Sequence, residues 1–375
     1  MATQTDVANT ANVMPLDFAV ASQYSTRPSF DISAVTLAAS GPTPTNAIQI
    51  PAVGYLFKIS LKVTITTTGG TTPAWTGDGP FNVIESFTLR NASGVNLITP
   101  VTGYGLYVMN RYGGQTAFGA SADPRVGMYG VGALAPTQTF FLDVPIGIDL
   151  SEGYGSIPAL ASNTNYQAAI TFAAQSTVTT STPTVTVAVS ATAWYFDVPD
   201  KVSESGIVQA TQPPGMPSQV IWNKESPTLS PGTKFVTSRE TGNLIRTQVL
   251  VLRNSSGARI DTNGWPALFE MYLNNNPRFS FSKEEFERAM QQWFGYLGAT
   301  KDAAGGLDTG VYVLPYHAML GSQSGDPANT RAQLLPTLDT SQLQFRGQAW
   351  GSAVSTLEIY TQSVTTTDAG YVYSK

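Results

Sequence analysis

The chain has 375 residues, which is long enough for two domains that each bury their own core. Only 12% of the residues are charged and the net charge is −5. This composition excludes an intrinsically disordered chain and argues against specific binding to nucleic acid. Cysteine is absent and His317 is the one histidine, which excludes disulfides, thiolate metal sites and multi-histidine metal sites.

The first 25 residues are predicted to form a flexible arm. Ala, Thr, Gln and Asn are frequent in this segment, and such a polar terminus is ordered only where something binds it. It has neither the basic start nor the continuous apolar stretch of a signal peptide. No apolar run in the chain reaches about 18 residues, so we also expect no membrane-spanning helix.

Several segments alternate apolar and polar residues with the period of two that is typical of half-buried β-strands. The clearest covers residues 57–66 and stops at Gly69-Gly70. The others are residues 140–144, 166–172, 184–196, 343–350 and 353–362. Short strands separated by clusters of Gly, Pro, Asn and Ser predict antiparallel β-sandwiches.

A proline-rich stretch divides the chain into two halves. It includes Pro213-Pro214-Gly215 and Pro217, and proline cannot donate a hydrogen bond to a sheet ladder. We therefore predict a linker at residues 201–217, between one domain at residues 26–200 and another at residues 218–375.

A six-residue repeat relates the two halves. The sequence Leu-Arg-Asn-Ala-Ser-Gly at residues 89–94 returns as Leu-Arg-Asn-Ser-Ser-Gly at residues 252–257, an offset of 252 − 89 = 163 residues. Both copies predict a strand that ends in a tight turn, because Asn and Gly tolerate the positive φ that such a turn requires.

One helix is predicted after each of these turns. In the first half it covers residues 104–112, and in the second half it covers residues 282–297. The second helix begins with a capping box formed by Ser282 and Glu285. Each half then returns to strands and ends in a long strand. Because the same order of elements occurs twice, the sequence predicts duplication of one β-rich domain.

No residue is predicted to be catalytic, to bind a cofactor or to hold a metal. His317 follows an apolar strand without an orienting carboxylate or nucleophile near it in sequence, so we expect a structural or surface histidine. The serines of residues 321–325 do not fit the G-x-S-x-G nucleophile elbow and predict a loop. Among Glu284, Glu285 and Glu287, two acids would suit the paired carboxylates of glycoside cleavage, but the helix dipole is sufficient to explain acids in a first helical turn.

Other polar residues are expected to form turns. Asp78, Asp302 and Asp308 are isolated acids in glycine-rich segments, and no D-x-D-x-D-G calcium loop is present. Asn91 and Asn254 begin the Asn-x-Ser pattern of N-glycosylation, for which a turn is a sufficient explanation. The many aromatic residues fit a sugar-binding groove, a sandwich core or a subunit interface.

The repeated strand, Asn-x-Ser-Gly turn, single helix and returning strands resemble the double jelly-roll major capsid proteins of the tectivirus-like lineage, which are icosahedral viruses with an internal membrane. Residues 57–65, followed by Gly-Pro-Phe-Asn-Val-Ile-Glu-Ser-Phe-Thr-Leu-Arg at residues 79–90, are similar to the opening strands of the family's first jelly roll. The resemblance implies an all-β fold of two tandem eight-stranded antiparallel jelly-roll sandwiches, each with one flanking helix. The first helix departs from the pattern, because Gly103 and Gly105 weaken it.

The resemblance also implies a function. The chain would be a major capsid protein without enzymatic activity, whose homotrimers form pseudo-hexameric capsomers of an icosahedral shell. Its partners would be itself, minor capsid or vertex proteins and the internal membrane, and its location the virion after synthesis in the host cytoplasm. Residues 113–137, 298–310 and 321–329 are expected to form outer loops or trimer contacts. Two alternatives stay open: a carbohydrate-binding or carbohydrate-cleaving β-sandwich protein of a phage or cell surface, and a minor capsid or spike component.

Overall fold

The structure is a computed structural model, and strands dominate it. It describes residues 15–69, 75–113, 137–148, 153–160, 166–214, 220–261, 263–294, 309–319 and 334–365. The strands form three hydrogen-bonded sheets. The largest runs through both halves of the chain, and we divide it into sheets 2 and 3, which gives sheets 1 to 4. Sheets 1 and 2 form the first half of the fold, roll 1, and sheets 3 and 4 form the second half, roll 2.

Sheet 1 is antiparallel and has the strand order β1-β10-β4-β7, with the short strand β8 paired to β4. Along β4 the side chains of Ile59, Leu61 and Val63 are buried, while Lys62 between them is exposed. The alternation predicted from the sequence thus places one face of the sheet on the core. The strands are β1 (Tyr24–Thr36), β4 (Gly54–Thr68), β7 (Thr137–Pro145), β8 (Ile157–Ala159) and β10 (Thr184–Phe196).

Sheet 2 has the order β6-β5-β9-β2, and β3 also pairs with β9. Its buried side chains join those of sheet 1 in a single apolar core. The strands are β2 (Thr43–Pro44), β3 (Ile48–Gln49), β5 (Ile84–Arg90), β6 (Asn96–Val101) and β9 (Gln167–Phe172).

Roll 2 repeats this arrangement. Sheet 3 has the order β11-β19-β13-β16, with β17 paired to β13, and sheet 4 has the order β12-β18-β14-β15. The strands of sheet 3 are β11 (Val220–Glu225), β13 (Leu244–Arg253), β16 (Val311–Pro315), β17 (Leu335–Pro336) and β19 (Thr356–Val364). The strands of sheet 4 are β12 (Gly232–Ser238), β14 (Leu268–Leu273), β15 (Asn276–Ser282) and β18 (Leu343–Trp350).

The two rolls share one strand order. With the short strands β8 and β17 left out and β2 and β3 taken as one, the main strands of each roll are ordered 1-8-3-6 in one sheet and 2-7-4-5 in the other. Two such packed antiparallel sheets define a jelly roll. The predicted all-β fold of two jelly rolls is confirmed.

The rolls are joined edge to edge. Strand β6 of roll 1 pairs in parallel with β11 of roll 2 at Ile98 and Trp222. The Thr99 hydroxyl also donates to the Trp222 carbonyl at 2.6 Å. Sheets 2 and 3 therefore form one continuous sheet that runs through both rolls.

Helices α2 (Gly103–Tyr112) and α4 (Lys283–Phe294) each connect the fifth and sixth main strands of a roll. The Thr102 hydroxyl accepts from the backbone N–H of Gly105 and caps α2. The predicted capping box of α4 is confirmed: Ser282 Oγ accepts from the N–H of Glu285, whose carboxylate accepts from the N–H of Ser282. Three four-residue helices were not predicted, namely α1 (Phe18–Ala21), α3 (Gln175–Val178) and α5 (Tyr316–Met319).

The repeated six-residue segments form the same turn. Asn91 Oδ1 accepts from the N–H of Ser93 at 3.0 Å, and Asn254 Oδ1 accepts from the N–H of Ser256 at 3.0 Å. Gly94 and Gly257 have φ of 79° and 80°. The equivalence drawn from these turns was wrong, however. The first ends β5, the fourth main strand of roll 1, and the second ends β13, the third main strand of roll 2. The capping positions instead give an offset of 282 − 102 = 180 residues.

The range predicted as a flexible arm includes a packed segment. Phe18 is buried against Tyr55 and Phe196, with ring centroids 5.4 and 5.6 Å away. Leu16 pairs with Gln209 in the range predicted as a linker. Residues 1–14 lie outside the described residues. The division of the chain at residues 201–217 stays a prediction.

We expect Phe269→Ala to destabilise roll 2 by about 3–5 kcal/mol, because removal of a buried aromatic ring leaves a cavity. Phe269 is completely buried between Trp265, Phe286 and Phe345. The matched control is Phe235→Ala, which removes a ring that is 53% exposed and should change stability by about 1 kcal/mol or less. Urea unfolding followed by tryptophan fluorescence measures both effects. Equal shifts of the two variants would contradict the assignment of this core.

Candidate functional site at the junction of the two rolls

Asp78 of roll 1 lies between two arginines of roll 2. Its Oδ2 accepts from Arg253 Nη2 at 2.8 Å, and its Oδ1 accepts from Arg259 Nε at 2.6 Å. Arg259 also donates to the carbonyls of Gly77 and Thr309. One carboxylate of the first half thus holds two guanidinium groups of the second half.

Glu358 extends this network into sheet 3. Its Oε2 accepts from Arg253 Nε at 2.7 Å and its Oε1 accepts from Lys224 Nζ at 2.8 Å. The Tyr360 hydroxyl donates to the same carboxylate at 3.1 Å. The side chains of Arg253 and Glu358 are only 13% and 10% exposed, and charges so far from water must be paired. We call Asp78, Lys224, Arg253, Arg259 and Glu358 the junction cluster.

The first turn of α2 packs on the junction cluster. The ring of Tyr104 lies 5.7 Å from the guanidinium carbon of Arg253 and 4.9 Å from that of Arg259, within the range of cation–π attraction. The next residue, Gly105, lies against the ring of Tyr360: a Cβ built on Gly105 would be 2.5 Å from Tyr360 Cε1. Glycine therefore allows the backbone of α2 to approach β19 closely.

The other end of α2 meets Arg246, which is completely buried. The Nη1 atom of Arg246 donates to the carbonyl of Gly113, the C-cap of α2, and to Gln362 Oε1 at 3.3 Å. A cation at a helix C-terminus offsets the partial negative charge of the last carbonyls. Both ends of α2 are thus attached to sheet 3.

The ion pairs of the junction cluster shift the pKa of their members in opposite directions. Burial raises the pKa of Glu358, but the charges of Arg253 and Lys224 outweigh burial and lower that pKa below its usual value. Burial lowers the pKa of the Arg253 guanidinium, but the charges of Asp78 and Glu358 outweigh burial and raise it. Both groups therefore stay ionised at neutral pH.

A cleft of about 430 Å³ opens beside the junction cluster, and both rolls line it. Asn82 on its wall donates to the Thr76 hydroxyl and to the Thr177 carbonyl, each at 2.9 Å. Asp78, Arg253 and Arg259 also line the cleft and are bound to one another. This arrangement suits cohesion between the rolls, because its charged groups neutralise each other instead of facing a ligand.

The described part of the chain contains no group of three or more His, Asp or Glu residues placed to hold a metal. Within the same residues, the helices are too short or too polar to cross a membrane. The expectation of no catalytic, cofactor or metal site stays a prediction.

Asp78 is a correction to the sequence analysis. It was interpreted as an isolated turn acid, whereas the structure places it at the centre of the junction cluster. Asp302, Asp308 and residues 321–325 lie outside the described residues, as does the side chain of His317. The same holds for most of the three predicted outer loops, of which residues 114–136, 298–308 and 321–329 are not described.

Glu284 and Glu285 lie in the first turn of α4, as predicted, and both are exposed. The backbone and hydroxyl of Ser282 lower the pKa of Glu285 by hydrogen bonding to its carboxylate.

The sequence carried one signal of the junction that was missed. Glu358 lies in strand β19 between Leu357 and Ile359, which are both completely buried. An acid in a buried strand indicates a partner of opposite charge. The partners of Glu358, Arg253 and Lys224, are distant in sequence. The signal therefore identifies a member of the site but not its pairing.

The fold matches solved structures although the sequence does not match known proteins. No family model matches the chain, and no curated protein matches it significantly. The chain is similar to the STIV major capsid protein at 14% identity and a TM-score of 0.59, over 94% of this chain and 100% of that one. It is similar to a chain of the PBCV-1 virus capsid at 11% identity and a TM-score of 0.56, over 92% and 94%. It is also similar to the major capsid protein P2 of bacteriophage PM2 at 12% identity and a TM-score of 0.51, over 93% and 99%.

These similarities confirm the resemblance in fold. The chain has the double jelly-roll fold that these viral major capsid proteins share.

The junction cluster predicts acid-sensitive stability. Because the pKa of Glu358 is lowered in the folded state, its stabilising effect is complete above its unfolded value of about 4.3 and is lost as the pH falls through the folded value. We expect Glu358→Gln to reduce stability at pH 7 by about 1–3 kcal/mol and to flatten the fall in stability below about pH 4.3. Thermal unfolding between pH 7 and pH 3 measures this, with the exposed Glu204→Gln as control. If the unfolding temperature of Glu358→Gln fell with pH in parallel with that of the parent protein, an ionised, stabilising Glu358 would be contradicted.

The close approach of α2 and β19 predicts that Gly105→Ala loosens the junction. The new methyl group would overlap the Tyr360 ring and Val101, and overpacking of this kind costs about 1–3 kcal/mol. In Gly77→Ala the methyl group would meet only Arg259 Nη2 at 3.8 Å, so this control should stay within about 0.5 kcal/mol of the parent. Differential scanning calorimetry compares the two variants. Equal unfolding temperatures of the two variants would show that the contact between α2 and β19 has room for a methyl group at residue 105.

Proposed function

We propose that this protein is a major capsid protein whose homotrimers form pseudo-hexameric capsomers of an icosahedral viral shell. The observation that carries the proposal is one strand order repeated in two rolls that are joined edge to edge. A subunit with two similar lobes presents six similar lobes in a trimer, which gives a hexagonal outline. The fold shared with viral major capsid proteins over more than 90% of the chain supports this role.

The outer surface of sheet 1 suits contact with other subunits. Small side chains such as Thr64, Ala188 and Ser190 alternate with the buried ones along its strands. Such small side chains can be covered without removing charges from water. The same surface also carries the exposed Lys62 and the ring of Phe141, which is 55% exposed. The low charged fraction of 12% fits a protein whose flanks are covered by neighbours.

In this proposal the end of roll 1 that carries the N-terminal segment faces the inner side of the shell. Val20, Tyr24, Val202 and Ile207 are between 49% and 68% exposed there. They lie on neighbouring segments, which are linked by the hydrogen bond from Ser22 to the Asp197 carbonyl and by the pairing of residues 16 and 209. Exposed apolar groups at this end suit contact with adjacent capsomers, with minor capsid or vertex proteins and with an internal membrane.

The role is structural rather than catalytic, and the site of action is the virion. The junction cluster would then hold the two lobes of each subunit in a fixed relation, which a regular shell requires.

Light scattering coupled to size-exclusion chromatography tests the proposal. We expect a mass three times the 39.8-kDa chain at micromolar concentration, with a hexagonal outline in negative-stain micrographs. A protein that stays monomeric at that concentration would contradict the proposal.

A further inference from the structure

The outer surface of sheet 4 carries a row of interacting side chains. Strands β12, β18 and β14 place Phe235, Arg346 and Glu270 next to one another in register. These side chains point away from the core, because their neighbours along the strands, such as Val236 and Phe345, are buried. The adjacent outward positions of β14 and β18 add three polar side chains. We call the whole set the sheet 4 face: Phe235, Glu270, Tyr272, Gln344, Arg346 and Gln348.

Phe235 is the apolar part of the sheet 4 face, and its side chain is 53% exposed. The guanidinium carbon of Arg346 lies 5.5 Å from the centre of the Phe235 ring. The ring of Tyr272 meets the same ring edge to face, with centroids 5.7 Å apart. Because two neighbours hold the Phe235 ring in place, little side-chain freedom is lost when a ligand stacks on its open side.

The charges in the middle of the sheet 4 face are paired with each other. Glu270 Oε2 accepts from Arg346 Nη1 at 3.1 Å and from Gln348 Nε2 at 3.3 Å. Glu270 Oε1 accepts from the Tyr272 hydroxyl at 3.3 Å. The carboxylate and the guanidinium therefore neutralise each other, and this part of the face suits a neutral ligand better than an ion.

Two exposed cations flank the sheet 4 face. Lys234 is next to Phe235 in β12, so its side chain leaves the opposite side of the strand. Arg278 lies on the edge strand β15, outside the row of Phe235 and Arg346. An acidic ligand would have to reach past the paired charges to meet both cations.

Several polar atoms of the sheet 4 face are open to a ligand. In the described part of the chain, Arg346 Nη2 and the side-chain oxygens of Gln344 and Gln348 have no hydrogen-bond partner. The other atoms of the same side chains are held, since Gln344 Nε2 donates to the Thr237 hydroxyl at 3.3 Å. The face thus offers donors and acceptors at fixed positions beside an exposed ring.

We propose that the sheet 4 face binds a neutral oligosaccharide, with one sugar ring stacked on Phe235 and its hydroxyl groups bonded to Arg346, Gln344 and Gln348. A sugar ring has an apolar side that packs on an aromatic ring, and each of its hydroxyls both donates and accepts. The face crosses three strands, about 10 Å at a strand spacing of about 4.8 Å, so a short chain of sugar rings fits on it. Since the face is flat, one copy would bind weakly and an assembly of copies more tightly. This binding activity is additional to the proposed capsid role.

A glycan array tests the proposal. We expect the protein to bind neutral oligosaccharides, and Phe235→Ala to weaken this binding about tenfold or more, because the stacking ring is lost. The matched control is Phe141→Ala, which removes a ring that is 55% exposed on sheet 1 and should leave the binding unchanged. Absence of binding, binding to acidic glycans alone, or equal loss in the two variants would overturn the inference.

Titration calorimetry with the soluble oligosaccharide that binds best on the array then separates the ring from the polar groups. Phe235→Trp should retain the affinity of the parent protein, because a larger aromatic ring still stacks. Arg346→Lys should weaken the affinity about tenfold, since lysine lacks the planar pair of Nη groups. A parent-like affinity of both Phe235→Ala and Arg346→Lys would place the sugar elsewhere on the protein.

A second copy of the chain is the other occupant that the sheet 4 face would suit. Light scattering of Phe235→Ala distinguishes the two. An unchanged mass together with lost glycan binding supports the proposal. A lower mass than that of the parent protein, without glycan binding by either, would show that another copy covers the face. That result would overturn this inference and leave the proposed function standing.

Discussion

Buried charges at the junction of the two rolls set the relation between them. Asp78 belongs to one roll, Arg253, Arg259 and Glu358 belong to the other, and none of them has enough water around it to stand alone. Moving one roll against the other would separate Asp78 from Arg253 and Arg259, and taking a buried charge from its partner costs several kcal/mol. The junction therefore has one favoured geometry, and the position of α2 against sheet 3 follows from it.

The same constraint explains why an unusually weakly charged chain still carries a dense group of charges between its halves. An apolar junction would hold the rolls together but would tolerate sliding, because apolar contacts have little directional preference. Ion pairs and hydrogen bonds fix distances and angles. In this protein the packing of Gly105 on Tyr360 brings α2 close to β19, and the neighbouring guanidinium groups fix the orientation of α2 on sheet 3.

Local patterns predicted the strands well and their long-range relations poorly. Strands β10 and β18 have the predicted bounds, since alternation over eight or more residues between turn signals is unambiguous. The capping box of α4 was equally clear. The repeated turn was misleading, because Asn and Gly produce the same turn wherever a strand must end, and its two copies end strands of different position. Asp78 and Arg259 are 181 residues apart, and no local pattern in a single sequence indicates such a pairing.

The attachment of α2 and β6 of roll 1 to sheet 3 has a consequence for how the chain folds during synthesis. Roll 1 leaves the ribosome first, and its main strands pair with one another, so it can fold while roll 2 is still being made. Strand β11, the first of roll 2 to emerge, then finds β6 as a preformed edge to pair with. We expect sheet 3 to grow from that edge beneath α2, with the folded first half as a template that limits mispairing of the second.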